Sequence, residues 1–171
     1  VIIPSRKADA CAAVAAEIEA LGRQAMAHGC HVGHWGEIDA MVAAAYERFG
    51  KIDILINNAG MSPLYESLSS ISEELFDKVI GVNLKGPFRL MATIGERMAA
   101  GEGGSIVNIS SIASLQPSPN SEPYAAAKAG LNALTRSFAF AFGPSVRVNG
   151  IAAGPFLTDI SKAWDMEAFE R

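Results

Sequence analysis

Short apolar runs alternate with longer amphipathic segments along this chain, and this alternation constrains its fold more than any other feature. We predict strands at the apolar runs, which lie near residues 1–3, 25–30, 52–56, 105–109 and 146–151. Hydrophobic residues recur at helical spacing between them, in segments covering residues 8–21, 36–49, 70–99 and 123–142. Strands that alternate with helices are typical of a parallel sheet covered on both faces. We therefore predict a single α/β domain over residues 1–171.

The ends of the predicted helices carry local signals. Gly22 and Gly50 follow the first two helices, where glycine commonly ends a helix. The sequence Ser70-Ile71-Ser72-Glu73 is a capping box that predicts the start of a long helix. Pro123 is tolerated in the first turn of the last helix. The hydrophobic residues at helical spacing are Val14, Ile18 and Leu21 in the first helix, and Ile38, Met41, Val42, Ala45 and Phe49, facing inward, in the second.

Charge and hydropathy argue against two classes of partner. The chain has 14 basic and 18 acidic side chains, a net charge of −4, so electrostatics gives no reason to expect nucleic-acid binding. No apolar run approaches the roughly 20 residues of a membrane span, and no signal peptide is visible. Cys11 and Cys30 do not make a disulfide framework, so we expect reduced thiols in a cytoplasmic protein.

Three histidines lie close together in the sequence, at positions 28, 31 and 34. A metal site is conceivable there. On a strand, however, His28 and His31 would point to opposite faces, because side chains alternate. Metal ligands must converge with narrow geometry. We therefore predict no metal site.

The residues best suited to chemistry stand in one series with fixed spacing. Tyr124 and Lys128 form a Y-x-x-x-K pattern, Ser111 lies 13 residues before the tyrosine, and Asn83 lies 41 before it. In this order and spacing the chain resembles the short-chain dehydrogenase/reductase family over nearly its whole length. The segments that agree with the family are Asn57-Asn58-Ala59-Gly60, Asn108-Ile109-Ser110-Ser111, Arg147-Val148-Asn149-Gly150 and the Gly154–Thr158 loop.

The resemblance implies a Rossmann-like, doubly wound parallel sheet and hydride transfer between a nicotinamide cofactor and a small secondary alcohol or ketone. The chain looks like NADP-type members, such as 3-oxoacyl-ACP reductases and gluconate dehydrogenases. Family members commonly assemble through their two long helices, so we expect a homo-oligomer, a dimer or a tetramer. The apolar positions Leu131, Leu134 and Phe138 are compatible with such contacts, but they could equally belong to the core.

Three features depart from the family pattern. The opening strand with its glycine-rich phosphate loop does not precede Val1, and the chain stops soon after Thr158. Ala153 stands where proline is usual, and Gly150 where alanine is usual. In a sheet of order 3-2-1-4-5-6, strand 1 is central. Without it, residues 1–3 have no neighbour linking them to residues 52–56, and two buried edges would carry unpaired backbone groups. We therefore expect the working protein to have more residues at both ends, and a measured intact mass near 18.0 kDa would contradict this.

The residues themselves explain the expected catalysis. A free tyrosine has a pKa of about 10 and is therefore a poor acid/base catalyst at neutral pH. A nearby cation favours the phenolate form. Tyr124 and Lys128 project from one helix face, four residues apart. Ser111 would hydrogen-bond the substrate oxygen. Pro87 has no N–H to donate to the Asn83 carbonyl, and in the family this carbonyl holds a water that relays protons to the lysine.

The predicted cofactor site favours NADP(H), with NAD(H) possible. An NAD-preferring site usually has a carboxylate at the end of the second family strand, where this chain reads Pro4-Ser5-Arg6-Lys7. Arg6 has the planar fork suited to a phosphate, and Ser5 a hydroxyl. Alternatively, Arg6 and Lys7 are only solvated charges at the start of the first helix. Positive charges at a helix start interact mildly unfavourably with the helix dipole. The other residues that the resemblance assigns to the cofactor are His31, Val32, Asn58, Ala59, Gly60, Ile109, Tyr124, Lys128, Gly154, Phe156 and Thr158.

The sequence is also compatible with two other functions. One is a non-catalytic nucleotide-binding or regulatory protein on the same scaffold, which the intact set of Asn83, Ser111, Tyr124 and Lys128 disfavours. The other is a sugar-nucleotide epimerase or dehydratase that shares the tyrosine and lysine. The pattern at Asn57–Gly60 favours the smaller dehydrogenases.

Overall fold

A computed structural model describes residues 1–156, in which five strands and five α-helices alternate in part as the sequence predicts. In chain order the elements are β1 Ile2–Ser5, α1 Ala8–Ala20, β2 Met26–Gly29, α2 Trp35–Phe49, β3 Ile54–Asn57, α3 Glu73–Ile80, α4 Gly86–Ala100, β4 Gly104–Ser111, α5 Glu122–Phe142 and β5 Val146–Ala153. A π-helical segment, Gly81–Lys85, joins α3 to α4, and short 3-10 turns occupy Leu68–Ser70 and Ile112–Ser114.

All strand pairs are parallel, and they form two sheets. β1 pairs with β2, and β4 lies between β3 and β5. The predicted α/β, Rossmann-like architecture with parallel strands is therefore confirmed. Within residues 1–156 no strand lies between β1 and β3. Ile54 and Ile56 of β3 are 65% and 59% exposed, and an open cleft separates the two sheets.

The core lies between the three-stranded sheet and the helices packed against it. Its most completely buried members include Ile38 of α2, Ile94 of α4, Ile106 of β4 and Leu131 of α5. The inward face predicted for the second helix is confirmed for four of its five residues, and Phe49 is half-buried.

Helix α1 packs differently from its prediction. Its buried residues are Cys11 and Ala15, while Val14 is 42% exposed and Leu21 is 80% exposed. α1 contacts β1 and β2, and the residues it buries there are small. Val14 and Leu21 therefore do not lie on the inward face, whereas Ile18 is half-buried.

The long helix predicted over residues 70–99 is interrupted, and its predicted start is wrong. Ser72, not Ser70, caps α3, and its hydroxyl accepts a hydrogen bond from the backbone N–H of Leu75 at 3.1 Å. Ser70 instead pairs with Ser67 in a capping box around the preceding 3-10 turn. The interruption at Gly81–Lys85 comes just before Pro87, which cannot donate a helical hydrogen bond.

Two surface features bear on partners. No helix within residues 1–156 is long and apolar enough to cross a membrane. On α5, Leu131 is fully buried, and Leu134 and Phe138 pack against the core. The outer face of that helix instead carries Phe140, which is 90% exposed.

Candidate active site

The cleft between the two sheets gathers most of the residues predicted to bind a cofactor. It has a volume of about 540 Å³ and opens to solvent. The strands β1 and β3 supply its apolar walls, and loops after β1, β2 and β3 supply its polar groups. The predicted cofactor residues that line it are Ser5, Arg6, His31, Val32, Asn58, Ala59 and Gly60. Because the strands are parallel, these loops all follow carboxyl ends, where ligands of such sheets bind.

Tyr124 and Lys128 lie next to each other in the first two turns of α5. The Lys128 ammonium nitrogen is 5.6 Å from the centre of the Tyr124 ring. Lys128 is only 3% exposed, and its Nζ donates a hydrogen bond of 2.7 Å to the carbonyl of Ile109 in β4. Burial lowers the pKa of this ammonium to about 8. The structure thus holds a costly buried cation beside a phenol.

Asn83 lies in the π-helical segment with its side chain fully buried. Its amide Nδ2 donates to the carbonyls of Met61 and Val79 at 2.8 and 2.9 Å, and its Oδ1 accepts from the backbone N–H of Met61 at 3.2 Å. The carboxamide therefore fastens the turn after β3 to the helix. A Cβ placed on Gly60 would lie 3.1 Å from Asn83 Oδ1 and 3.5 Å from Lys128 Nζ, which places all three residues at one corner.

Ser111 ends β4 and begins the following 3-10 turn. Its hydroxyl accepts a hydrogen bond of 3.2 Å from the backbone N–H of Ala113, as an N-cap. No residue among 1–156 accepts the hydroxyl hydrogen of Ser111. That hydrogen remains available for an oxygen of a bound molecule.

The loop after β2 is held by an acidic side chain. Glu37 accepts a hydrogen bond of 2.7 Å from the backbone N–H of His31 and contacts His34 Nδ1 at 2.6 Å. These two bonds, the His31 N–H first, hold the Glu37 pKa below its ordinary value. The His31 ring stacks on His34 with centroids 4.4 Å apart, and its Nδ1 accepts from the backbone N–H of Gly33 at 3.1 Å. Within residues 1–156, no group of three or more potential ligands forms a metal site.

The remaining predicted cofactor residues lie elsewhere. Ile109 is half-buried in β4, and its carbonyl is the acceptor for Lys128. Gly154 and Phe156 follow β5, are exposed and do not line the cleft, with Phe156 68% exposed. Thr158 lies outside the described residues.

A buried chain of polar side chains, which the sequence motifs did not indicate, joins β3, β4 and α5. Asn57 Nδ2 donates to Asn108 Oδ1 at 2.8 Å, and Asn108 Nδ2 donates to Thr135 Oγ1 at 2.9 Å. Asn57 Oδ1 is buried and has no hydrogen-bond partner within residues 1–156, and Asn57 lines the cleft. The matching strand-end positions of two asparagines were the available signal.

A second contact that the motifs did not indicate involves Glu122, the first residue of α5. Its side chain accepts a short hydrogen bond from the Tyr65 hydroxyl, which itself accepts from the backbone N–H of Glu122 at 3.2 Å. The bond from Tyr65 lowers the pKa of the Glu122 carboxyl. Nothing in the sequence spacing of 57 residues indicated this pair.

Comparison with known proteins agrees with this geometry. Residues 1–168 match the family model described as short chain dehydrogenase. Dehydrogenase/reductase SDR family member 4 of Pongo abelii is 35% identical over 163 residues, covering 95% of this chain and 59% of the relative. L-rhamnose 1-dehydrogenase (NAD(P)(+)) of Azotobacter vinelandii (strain DJ / ATCC BAA-1303) is 38% identical over 162 residues, covering 92% and 63%. The chain thus spans about three fifths of the length of these relatives.

Solved structures give the same result. A protein assigned as a short-chain alcohol dehydrogenase, from Sinorhizobium meliloti 1021, superposes with a TM-score of 0.91 at 34% identity, covering 99% of this chain and 68% of that one. Gluconate 5-dehydrogenase of Burkholderia cenocepacia J2315, in complex with NADP and tartrate, superposes with a TM-score of 0.87 at 29% identity, covering 95% and 64%.

Proposed function

This chain belongs to the short-chain dehydrogenase family, and on that premise we propose that it is an NADP(H)-dependent oxidoreductase acting on a secondary alcohol or ketone. The observation that carries this proposal is the buried Lys128 ammonium beside the Tyr124 ring, at the corner shared with Asn83 and Gly60. A buried charge is costly, so its retention next to Gly60, which lines the cleft, is typical of a functional group. Substrates of the 3-oxoacyl or sugar-alcohol type fit the same chemistry.

In the proposed reaction, Tyr124 exchanges a proton with the substrate oxygen. The ammonium of Lys128 lies 5.6 Å from the centre of the Tyr124 ring, and its bond to the Ile109 carbonyl fixes its position. Ser111 donates its free hydroxyl hydrogen to the same oxygen and stabilises the charge that develops there. Asn83 supports the Gly60–Met61 turn, and its main-chain carbonyl is the proposed site of the relay water. A bound nicotinamide would supply or accept the hydride.

The residues of the cleft fit a dinucleotide. A buried acceptor that has no partner among residues 1–156, Asn57 Oδ1, borders the cleft at the carboxyl end of β3. Arg6 is exposed at the end of β1, and we propose that it and Ser5 bind the 2′-phosphate of NADP(H). The gluconate 5-dehydrogenase structure contains NADP, whereas the name of the rhamnose enzyme covers both cofactors. His31, Val32, Asn58, Ala59 and Gly60 would hold the remainder, together with the Gly154–Thr158 segment.

We expect the protein to be cytoplasmic and to act as a dimer or tetramer. Contacts through α4 and α5 are supported by Phe140 (90% exposed) and Phe88 (39% exposed), two large apolar side chains on these helices. Light scattering on the purified protein tests the assembly.

The central experiment compares Tyr124→Phe with Tyr46→Phe in the intact protein. NADPH oxidation is measured with a panel of ketones, and NADPH binding is measured separately by fluorescence. We expect Tyr124→Phe to lose activity by at least about 100-fold while NADPH still binds, because only the transferable proton is removed. Tyr46, on α2 outside the cleft, serves as the matched control. Retained activity in Tyr124→Phe would remove this tyrosine from its role.

A further inference from the structure

A chain of hydrogen bonds ties the segment that carries Ser111 to the helix that carries Tyr124 and Lys128. Asn132 lies on α5 one turn beyond Lys128, and its Nδ2 donates to the hydroxyl of Ser114 at 2.8 Å. The Ser114 hydroxyl in turn donates to the main-chain carbonyl of Ser111. The link therefore spans from α5 to the carbonyl of a catalytic candidate in two bonds.

The hydrogen-bonding capacity of Ser114 fits this arrangement completely. A serine hydroxyl has one hydrogen and can accept two hydrogen bonds. Ser114 Oγ uses its hydrogen on the Ser111 carbonyl and accepts from Asn132, and it also lies 3.3 Å from the donor Ser110 Oγ. The Ser110 hydroxyl is in addition 3.4 Å from the carbonyl of Lys128. The hydrogen bonds from Asn132 to Ser114 and from Ser114 to Ser111 therefore have a fixed direction, whereas the single Ser110 hydrogen can serve either Ser114 or Lys128.

We propose that Asn132 and Ser114 are positioning residues, which fix the Ser111 hydroxyl relative to Tyr124. The Ser111 hydroxyl is oriented by the N–H of Ala113, within the turn that Ser114 closes. Moving the Ser111 carbonyl would turn this hydroxyl away from the substrate oxygen. The inference rests on the proposed oxidoreductase function, because without turnover the position of Ser111 has no kinetic consequence.

The sharpest variant is Asn132→Asp, which keeps the shape of the side chain and replaces its N–H donor with an acceptor. The carboxylate would draw the only hydrogen of the Ser114 hydroxyl away from the Ser111 carbonyl. Ser114→Ala removes the same bond from the other side, and Ser114→Thr keeps the hydroxyl and should restore it. Ser137→Ala is the matched control, because Ser137 is an exposed serine on the same helix.

We expect kcat to fall about tenfold in Asn132→Asp and Ser114→Ala, with an unchanged KM and Kd for NADPH. The variant that combines Asn132→Asp with Ser114→Ala should have a kcat no lower than that of the worse single variant. Both substitutions break the same connection between α5 and the Ser111 carbonyl, so their effects should not add. The dependence of kcat on pH should be the same as in the unaltered protein, because neither substitution changes Lys128. Ser114→Thr should retain most of kcat.

The outcomes separate this inference from the proposed function. If the unaltered protein reduces no ketone although NADPH binds, the proposed function fails first. If it turns over and both variants keep full kcat, the positioning role is refuted. Additive losses in the combined variant, or a parallel loss of NADPH binding and thermal stability, would also overturn it, because a merely structural bond predicts that pattern.

Discussion

Replacing Lys128 with methionine should make the protein more stable at neutral pH while abolishing its activity. The pKa of the buried ammonium is about 8, against 10.5 for a free lysine. Each unit of difference between these two pKa values corresponds to about 1.36 kcal/mol. Keeping the ammonium charged in the folded state therefore costs about 3 kcal/mol at pH 7. Methionine has a similar length and no charge, but it loses the bond to the Ile109 carbonyl, worth about 1 kcal/mol. The expected net gain for Lys128→Met is about 2 kcal/mol.

The stability difference between the unaltered protein and Lys128→Met should depend on pH. Below pH 8 the lysine is protonated in both the folded and the unfolded states, so the whole cost is present. Between about pH 8 and 10.5 the unfolded chain binds more protons, and the stability of the unaltered protein rises relative to Lys128→Met. Above 10.5 both states are neutral, and only the lost bond to Ile109 separates the two proteins. We therefore expect them to be about equally stable near pH 10.

Urea unfolding followed by circular dichroism at pH 7 and pH 10, without cofactor, measures this difference. Lys78→Met is the matched control, because Lys78 is an exposed lysine on α3 that pairs with Glu74 at 2.7 Å. The free energy of unfolding of the Lys78→Met protein should differ little from that of the unaltered protein, and the difference should be similar at pH 7 and pH 10. A Lys128→Met protein less stable than the unaltered one at pH 7, or a difference that does not shrink towards pH 10, would refute the reasoning.

Three further perturbations test other parts of the structure. Arg6→Ala should lower the ratio of kcat/KM for NADPH to that for NADH by about 10-fold or more, since a charged hydrogen bond is lost; a preference of the unaltered protein for NADH would contradict the cofactor assignment. Asn83→Ala should reduce stability in urea by about 2–3 kcal/mol and weaken NADPH binding, because Met61 and Val79 lose their buried partner; unchanged values for both would count against this role. Gly86→Ala should destabilise the protein by about 1–3 kcal/mol, because the new Cβ would lie 2.2 Å from the Val32 carbonyl oxygen. Gly36→Ala, a helical glycine with open space around it, should instead stabilise slightly, and equal melting temperatures for the two glycine variants would be inconsistent with that contact.

Much of the secondary structure follows from local patterns. The strands and most helix ends follow from apolar runs, glycines and prolines, whose effects act over a few residues. The capping of α3 by Ser72 did not follow, because Ser67 and Ser70 offered a competing box in the preceding turn. The burial of Cys11 and Ala15 in α1 depends on which surface the helix meets, and the periodicity of Val14, Ile18 and Leu21 could not show that surface.

The sequence by itself determined the class of the fold and the spacing of the proposed catalytic residues. A helix places residues four apart on one face, so the adjacency of Tyr124 and Lys128 was fixed by geometry alone. Tertiary structure decided what burial does to Lys128, which partners the Asn83 side chain binds, and that Asn132 reaches Ser114 across 18 residues. Such contacts join separate elements, and their distances depend on packing rather than on order along the chain. The electrostatic cost of a buried charge likewise depends on how completely its neighbours exclude water.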